Sequence, residues 1–326
     1  MKKIRFYNIV SIKGSITFKV ESKEEFGKSI DIYFKFDRRV KLYNDQIAYL
    51  LSTLCGEQYE AIEMDLDITK EIKKNVEEYT KAKVKANIVD EVEIPDRSKY
   101  KNITICFSGG FDSLACMYAL PKAKLAAVDF GEWFEREAKF FMRFKPKTVS
   151  TNIRRSNIRL DKNTWTFMGC SIIIYCDFFK TKYNVFGTAL EDPIIQLEKN
   201  SYTFNVQETA PFKYLGFKDI KLVNGLTAVG TAMMVLKYGR PYLNDALIAL
   251  ASTHDEKRYR KQTILDILCK KQGLDLEYEH VGALKDKIPF GKRSIFVDFV
   301  FLDGFDPIVF IQTVIHFLPV FPNVYL

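Results

Sequence analysis

The sequence of 326 residues contains 49 Lys and Arg against 41 Asp and Glu, a formal net charge of +8. Hydrophobic residues make up 47% and charged residues 28%, which excludes a disordered or fibrous chain. The mild positive charge permits contact with anions such as nucleotides or RNA but does not require it. At roughly 150 residues per domain, this length predicts about two domains.

The sequence predicts no membrane segment. The N-terminal stretch is basic, but polar residues interrupt its apolar run, which is unlike a secretory signal peptide. The most apolar stretch, 307–321, is shorter than the roughly 20 residues that a span needs, and it contains Gln312, His316 and Pro319. Six cysteines lie far apart and form no C-x-x-C pair. We therefore expect a cytoplasmic protein with free thiols and no contact with a membrane.

Residues 1–95 are predicted to form a small α+β module. Apolar residues alternate with polar ones as in half-buried strands, and residues 12–15 have the composition of a hairpin turn. The predicted elements are, in chain order, strands at 16–20 and 30–36, a helix from Asn44 or Asp45 to Gly56, a strand at 62–68 and a charged helix over 69–87. Nothing in this module predicts chemistry, so we expect it to bind a protein partner or a larger substrate.

From residue 96 onward, continuously apolar strands alternate with helices, which predicts a parallel sheet with helices on both faces. The predicted strands lie at 102–107, 124–130, 147–153, 182–188 and 293–303, and the predicted helices at 113–120, 135–144, 165–180, 226–239, 242–252 and 254–273. Ligands of such sheets bind at the carboxyl ends of the strands. Asp129, the stretch 187–192 and a glycine loop after the first strand all lie at these ends.

The glycine loop has the sequence CFSGGFDSLA, without the lysine of a Walker A motif. Gly109 and Gly110 allow backbone N–H groups to turn inward, and the helix that begins near Ser113 adds its positive end. Ser108 and Ser113 supply hydroxyl donors. Asp112 conflicts with a phosphate unless a cation lies between them, so it predicts Mg²⁺. The alternative is a simple glycine turn with Asp112 or Ser113 as the helix N-cap.

The pattern S-G-G-x-D-S between an apolar strand and a helix resembles the pyrophosphate loop, or PP-loop, of the N-type ATP pyrophosphatases. GMP synthetase, asparagine synthetase, the tRNA thiolation and lysidine enzymes and 7-cyano-7-deazaguanine synthase belong to that superfamily. LAAVDFG resembles its second strand, whose end contacts adenine, and YNVFGTALEDP resembles its fourth strand and acidic loop. LVNGLTAVGTAMMVLKYG resembles the G-L-T region of the deazaguanine synthases. The similarity covers about residues 100–272.

This resemblance implies an adenine nucleotide alpha hydrolase-like fold and a ligase-type enzyme. Such an enzyme splits ATP into AMP and pyrophosphate while it adenylates a carboxylate or amide, here a small acid such as a 7-deazapurine, for attack by a nitrogen nucleophile. The synthases hold zinc with a cysteine cluster, whereas the matching stretch has only His254 and Cys269, so we expect no zinc site. The sequence looks similar to the zinc-less, N-terminally extended members of bacterial anti-phage systems.

Two alternatives remain open. One is a tRNA-modifying PP-loop enzyme, which we do not favour because no basic stripe with interleaved aromatic residues stands out along the sequence. The other is a non-catalytic partner protein that binds nucleotide.

The resemblance assigns ATP binding to Ser108, Gly109, Gly110, Phe111, Asp112, Ser113, Asp129 and Gly187. It assigns catalysis to Asp112, Ser113 and Asp192, with Asp112 also the Mg²⁺ ligand. Asp129 either faces the site or caps the next turn. Glu191, beside Asp192, is a further candidate of the acidic loop. For the other candidates, a surface, cap or structural role is the default interpretation: Arg154, Arg155, Arg159, Thr227, Lys257, Arg258, Arg260, His254, His280 and His316.

Overall fold

The computed structural model describes residues 2–155, 159–188, 209–220, 222–223, 226–253 and 255–280. Its strands are β1 (Lys3–Ile12), β2 (Ser15–Glu21), β3 (Ile30–Lys35), β4 (Ala61–Ile68), β5 (Lys83–Ile88), β6 (Asn102–Cys106), β7 (Lys124–Asp129), β8 (Lys147–Thr151), β9 (Thr181–Val185) and β10 (Lys218–Ile220). Its α-helices, within these ranges, are α1 (Asn44–Ser52), α2 (Lys70–Thr80), α3 (Phe111–Ala119), α4 (Glu135–Phe141), α5 (Cys170–Phe179), α6 (Ala228–Tyr238), α7 (Leu243–Leu250) and α8 (Glu256–Gln272).

The described strands form one ten-stranded sheet in the order β10-β9-β6-β7-β8-β3-β2-β1-β4-β5. The pairs β1–β2, β2–β3 and β3–β8 are antiparallel, and the other neighbouring pairs are parallel. The predicted α/β class is confirmed, with a mostly parallel sheet compatible with a Rossmann-like fold.

The N-terminal strands continue the same sheet as the later strands, because β3 pairs with β8. One apolar core lies on the face covered by α1, α2 and α5 and contains residues from both regions, for example Phe34 and Phe167. A second core lies on the opposite face, beneath α3, α4, α6, α7 and α8. Arg97, in the connection between the regions, bonds to Asp45 of α1 and to Asp177 of α5. The two-domain division at residues 95 and 96 stays a prediction.

Several observed elements depart from the predicted ones. Strands β1 and β10 were not predicted, and the helix predicted from residue 165 begins at Cys170, after a 3-10 helix. The helix predicted over 69–87 ends at Thr80, because Lys81 adopts a left-handed conformation with φ 59°. The chain then forms the edge strand β5, in which polar and apolar residues alternate. Helix α3 begins at Phe111, two residues before the predicted start. The strand predicted at 293–303 lies outside the described residues.

Within the described ranges, every helix is either too short or too polar to cross a membrane.

Candidate functional site

The glycine loop lies where the connections of the sheet change direction. From the central strand β6, the chain proceeds to β7 and β8 on one side, whereas β9 and β10 lie on the other side. Neighbouring loops diverge at such a switch point and leave a crevice at the carboxyl ends of the strands, which is where open α/β sheets bind ligands. The glycine loop follows β6 and Gly187 follows β9, so the two strands flanking the switch point carry both segments.

The first turn of α3 has no side-chain cap. Gly109 has φ 77°, and a Cβ built there would lie 2.8 Å from Cδ1 of Phe140, so only glycine fits without strain. Gly110 is the N-cap of α3 and offers no side-chain oxygen to the first-turn N–H groups. The interpretation of Asp112 or Ser113 as the N-cap is therefore wrong, because both lie inside the first turn.

Gly187 allows the end of β9 to approach the loop closely. A Cβ at this position would lie 2.7 Å from the backbone N of Ser113 and 2.9 Å from the carbonyl carbon of Asp112. Real Cβ atoms do not come this close to backbone atoms, so a side chain here would displace the first turn of α3. The structure thus places Gly187 against the loop, as a packing residue of the candidate site.

Asp112 is held by two side chains that the sequence analysis did not single out. Its Oδ1 accepts a hydrogen bond of 2.6 Å from Oγ1 of Thr231 on α6 and lies 3.2 Å from Nζ of Lys261 on α8. The Lys261 side chain is only 5% exposed, whereas that of Asp112 is 28% exposed. A buried ammonium group needs such a partner, and the carboxylate provides it.

A sequence signal for both partners existed. Lys261 stands three, four and seven residues before Ile264, Leu265 and Leu268, on the apolar face of α8. Thr231 shares the buried face of α6 with Ala228, Ala232 and Val235 in the same way. A polar residue at helical spacing within an apolar face faces the interior, where it needs a partner.

The two serines of the loop bond to each other and to the glycine turn. Ser113 is buried, donates to the carbonyl oxygen of Gly110 at 3.0 Å, and lies 3.3 Å from the hydroxyl of Ser108. Ser108 is exposed and accepts a 3.4 Å hydrogen bond from the N–H of Gly110. Phe111 is fully buried, with its ring 5.7 Å from Nζ of Lys261. Phe111 therefore anchors the loop to the core.

Asp129 caps a turn at the same edge of the sheet. Its Oδ1 accepts a 2.8 Å hydrogen bond from the N–H of Gly131, and its Oδ2 lies 3.5 Å from the hydroxyl of Ser150. Of the two roles that the sequence left open, this geometry is that of the cap. Asp192 and Glu191 lie outside the described residues.

The arginines after β8 pack against the turn after β7. Arg154 bonds through Nε to Asp161 at 2.8 Å, and its guanidinium carbon lies 3.6 Å from the ring centroid of Phe130. Arg155 covers Gly131, where a Cβ would lie 1.9 Å from its Nη2. Arg159 is exposed. Arg155 also pairs with Glu132 at 3.4 Å, so both Arg154 and Arg155 have acidic partners at the carboxyl edge of the sheet.

The first turns of α8 add further cations. Arg258 is 2% exposed and pairs with Glu279 at 3.3 Å, whereas Lys257 is exposed. Arg260 is half-buried. Surface placement, the default interpretation for these residues, is therefore wrong for Arg258. Thr227 caps α6 as expected, accepting from the N–H of Gly230.

Glu137 on α4 is a half-buried acid of this region that the sequence did not single out. Burial raises the pKa of Glu137, while the charges of Lys257, Arg136 and Arg154 act in the opposite direction. These influences bring together α4, α8 and the segment after β8, so cations from three parts of the chain converge here. Glu137, Asp161 and Glu279 lie near or pair with cations of this region, so its charges are of both signs.

The described residues contain no cluster of three or more His, Cys, Asp or Glu side chains able to hold a metal. Cys269 is buried in α8 and His280 lies 2.8 Å from the Gln262 amide, while His254 and His316 lie outside the described ranges. Asp112 offers one carboxylate, which suits Mg²⁺ when the other ligands are phosphate oxygens and water. The residues present would therefore fit a Mg²⁺ ion only together with a ligand that supplies further oxygen atoms.

No protein-family model, no curated protein and no solved structure matches this chain.

Proposed function

We propose that this chain is a PP-loop ATP pyrophosphatase of the ligase type. It binds ATP with Mg²⁺ at the glycine loop and activates a carboxylate or amide substrate by adenylation. The proposed substrate is a small acid of the 7-deazapurine class, as in deazaguanine synthases, within an anti-phage or nucleobase-modification pathway. The reaction class comes from the resemblance of S-G-G-x-D-S, and the arrangement around the loop supports it.

The observation that supports the proposal is the position of Lys261 beside the first turn of α3, which has no side-chain cap. A buried ammonium group, the uncapped N–H groups of the first helical turn and the glycine turn share one location at the switch point. Each of these features stabilises negative charge. A simple glycine turn between a strand and a helix has no need of a lysine from α8.

The strand order from β6 to β10 supports the finer fold assignment. Numbered within this region, these parallel strands stand in the order 3-2-1-4-5, which is that of nucleotide-binding α/β halves extended past the switch point. The adenine nucleotide alpha hydrolase-like fold is proposed on this ground.

In the proposed reaction, an oxygen of the substrate forms a bond to the α-phosphorus of ATP as the bond to the β-phosphate oxygen breaks. Pyrophosphate leaves, and a nitrogen nucleophile then displaces AMP from the adenylate. Lys261, the amides of α3 and the hydroxyl of Ser108 would hold the pyrophosphate, and Gly187 keeps β9 against them. These residues contribute positioning and charge stabilisation. Asp112 would hold Mg²⁺, which neutralises charge on the phosphates.

The cysteines favour this reaction over tRNA thiolation, which needs a reactive and partly exposed thiol. None of the six cysteines, all of which are described, is exposed. Burial raises the pKa of Cys106, the thiol before the loop, to about 12, and burial with the charge of Asp112 raises that of Cys116 to about 12. Neither thiol is an activated nucleophile.

The direct test is to incubate the protein with ATP labelled at the α-phosphate, MgCl₂, ammonium and candidate acids such as 7-carboxy-7-deazaguanine. The proposal requires release of AMP and pyrophosphate that depends on the acid. Release of ADP and phosphate instead would refute it.

An Asp112→Asn variant removes the charge and preserves the shape. It should lose at least about 100-fold in turnover, because one charge-stabilising group at the reaction centre contributes that much. It should also unfold at a lower urea concentration, because the buried Lys261 loses its counterion. Turnover is therefore measured at a temperature where circular dichroism shows that the variant is folded. Asp255→Asn, at the exposed N-cap of α8, is the matched control. Full activity of Asp112→Asn would contradict the assignment of Asp112.

A further inference from the structure

One half of the sheet has a face that no described element covers. The second core, beneath α3, α4, α6, α7 and α8, contains only residues from Ile103 onward. On that side of β1, β2 and β3, the outward side chains remain exposed or half-buried, while the alternate positions are buried in the first core. We call the outward side of these three strands the open face.

Strand register brings aromatic and basic residues together on the open face. Tyr7 of β1 lies opposite Lys19 of β2, and Thr17 of β2 lies opposite Tyr33 of β3. Lys35 belongs to the next row on β3. These residues are far apart along the sequence, and only the pairing of the strands makes a mixed surface of them.

Each tyrosine of the open face carries a cation beside its ring. The guanidinium carbon of Arg5 lies 4.9 Å from the ring centroid of Tyr7, and Nζ of Lys35 lies 4.9 Å from that of Tyr33. Both rings are half-buried, so part of each is accessible. An accessible ring next to a cation matches one base and its neighbouring phosphate.

The charge of the open face is positive. Its outward cations are Lys3, Arg5, Lys19 and Lys35, and its outward anions are Glu21 and Asp31. The anions form only long pairs, 3.7 Å for Arg5–Glu21 and 3.9 Å for Lys19–Asp31. Exposed pairs of this kind contribute little, so Lys19 and Lys35 can bind phosphates instead. Lys3 is paired with Glu63 at 2.8 Å, and Arg5 lies within 4 Å of three carboxylates, so acids hold these two cations.

Strand β4, which pairs with β1, borders the open face with acidic side chains. Outward positions of β4 carry Glu63, Asp65 and Asp67, and Arg5 lies within 4 Å of the first two. This acidic border repels phosphates, so a polynucleotide would run along β1 to β3 rather than across β4.

We infer that the open face binds single-stranded nucleic acid, in which bases stack on Tyr7 and Tyr33 and phosphates pair with Lys19 and Lys35. Two strand spacings and one two-residue step separate the tyrosines, roughly 12 Å, so they take two different bases of one strand. Val10 and Ile12, which follow Tyr7 on β1, are 54% and 62% exposed and add apolar surface to the open face. A duplex, whose bases are already stacked, is not expected to bind this way.

The test is fluorescence anisotropy of fluorescein-labelled dT₁₅ and rU₁₅ with the full chain, without ATP, at 20 and 200 mM NaCl. Binding should weaken at higher salt, because cations of the open face replace counterions. Tyr7→Ala and Tyr33→Ala should each weaken it about tenfold or more, and Tyr→Phe at either position should preserve it. Lys19→Ala and Lys35→Ala should reduce the salt dependence. The dT₁₅ and rU₁₅ arms identify whether DNA or RNA is preferred.

Two control variants remove a lysine and a tyrosine that lie outside the open face. Lys74→Ala on α2 and Tyr238→Ala on α6 change exposed residues outside the open face and should leave binding unchanged. ATP at millimolar concentration should not compete, which separates this surface from the site at the glycine loop.

Several results would overturn the inference. They are no binding at 20 mM NaCl, equal binding of a blunt duplex, or affinity that survives both tyrosine substitutions. Binding of poly-L-glutamate that depends on the lysines and not on the tyrosines would reassign the open face to an acidic protein.

Discussion

Nζ of Lys261 lies 3.2 Å from Oδ1 of Asp112, and this ion pair joins α8 to the first turn of α3. The lysine is buried, whereas the aspartate is partly exposed to solvent. The carboxylate of Asp112 therefore stabilises the charged ammonium group of Lys261 inside the protein. A nucleotide with its metal ion would change the charge balance of this pair, because both partners then gain alternative counterions.

Replacing Lys261 with Met should preserve the fold and weaken ATP binding by about 10- to 100-fold, since a hydrogen bond to a charged group contributes about 1.5–3 kcal/mol. Met keeps most of the apolar contacts of the lysine stem. Isothermal titration with a non-hydrolysable ATP analogue and MgCl₂ measures the change. Lys270→Met, at an exposed position of the same helix, is the control. Unchanged affinity in Lys261→Met would remove the principal support for the proposed phosphate site.

Replacing Thr231 with Val removes the hydroxyl that bonds to Asp112 and keeps the shape. We expect a loss of about 1.5–3 kcal/mol in the free energy of unfolding, because the donor hydroxyl is buried and the acceptor is a carboxylate. Thr231→Ser should retain most of the stability and of the ATP turnover. Urea denaturation measures the first quantity. Thr263→Val, which loses a bond to the carbonyl oxygen of Tyr259, should cost less, and an equal cost would contradict the special role of Asp112.

Substitutions at Gly187 and Gly110 distinguish a loss of stability through packing from a loss of ATP binding. Gly187→Ala should lower the melting temperature, because its Cβ would lie 2.7 Å from a backbone nitrogen, and overpacking of this kind costs about 1–3 kcal/mol. At Gly110, the nearest atoms would be 3.5 Å away and φ is −69°, so Gly110→Ala should leave the melting temperature unchanged. It should still weaken ATP binding, since a methyl group would stand at the open helix end. Differential scanning fluorimetry with and without Mg·ATP distinguishes the two effects.

Arg97 is expected to be a principal link between the two regions of the chain. Its Nε lies 2.7 Å from Oδ1 of Asp177, and it also bonds to Asp45, whose side chain is 4% exposed. Arg97→Leu leaves two carboxylates without their cation and should cost about 3–5 kcal/mol in urea denaturation. The triple variant with Asp45→Asn and Asp177→Asn should recover much of this loss. Arg39→Leu, which breaks the exposed pair with Asp37, should cost less than about 1 kcal/mol.

Alkaline pH should destabilise the protein through its buried thiols. Burial raises the pKa of Cys106 from 9.0 to about 12, so between these values the folded state holds a proton that the unfolded state has lost. The stabilisation is therefore complete below about pH 9 and falls as the pH rises toward 12, by at most about 1.4 kcal/mol per pH unit for one thiol. Urea denaturation from pH 8 to 10.5 should show a smaller slope in Cys106→Ala than in the wild type. An identical slope would contradict the burial of this thiol.

The sequence by itself determined the class of the fold and the location of the glycine loop. Continuously apolar strands alternating with helices predicted the α/β architecture, and β6, the loop and α3 follow one another as expected. The turn at 12–15 also joins two strands, β1 and β2. These features depend on side-chain periodicity and turn residues over a few positions, so local sequence is enough to specify them.

Only the tertiary structure decided which side chains meet at the loop. Thr231 and Lys261 stand 119 and 149 residues from Asp112 along the chain, and no local pattern links them to it. The edge strand β5 was predicted as helix because its lysines also suit a helix, and pairing with β4 overrode that preference.

The register of β1, β2 and β3 also decided which residues are neighbours on the open face. The linear sequence contains no basic stripe with interleaved aromatic residues, yet strand pairing places Tyr7 beside Lys19 and Thr17 between Val10 and Tyr33. The physical reason is that hydrogen-bonded pairing sets neighbours across strands, at about 5 Å, independently of their separation along the chain.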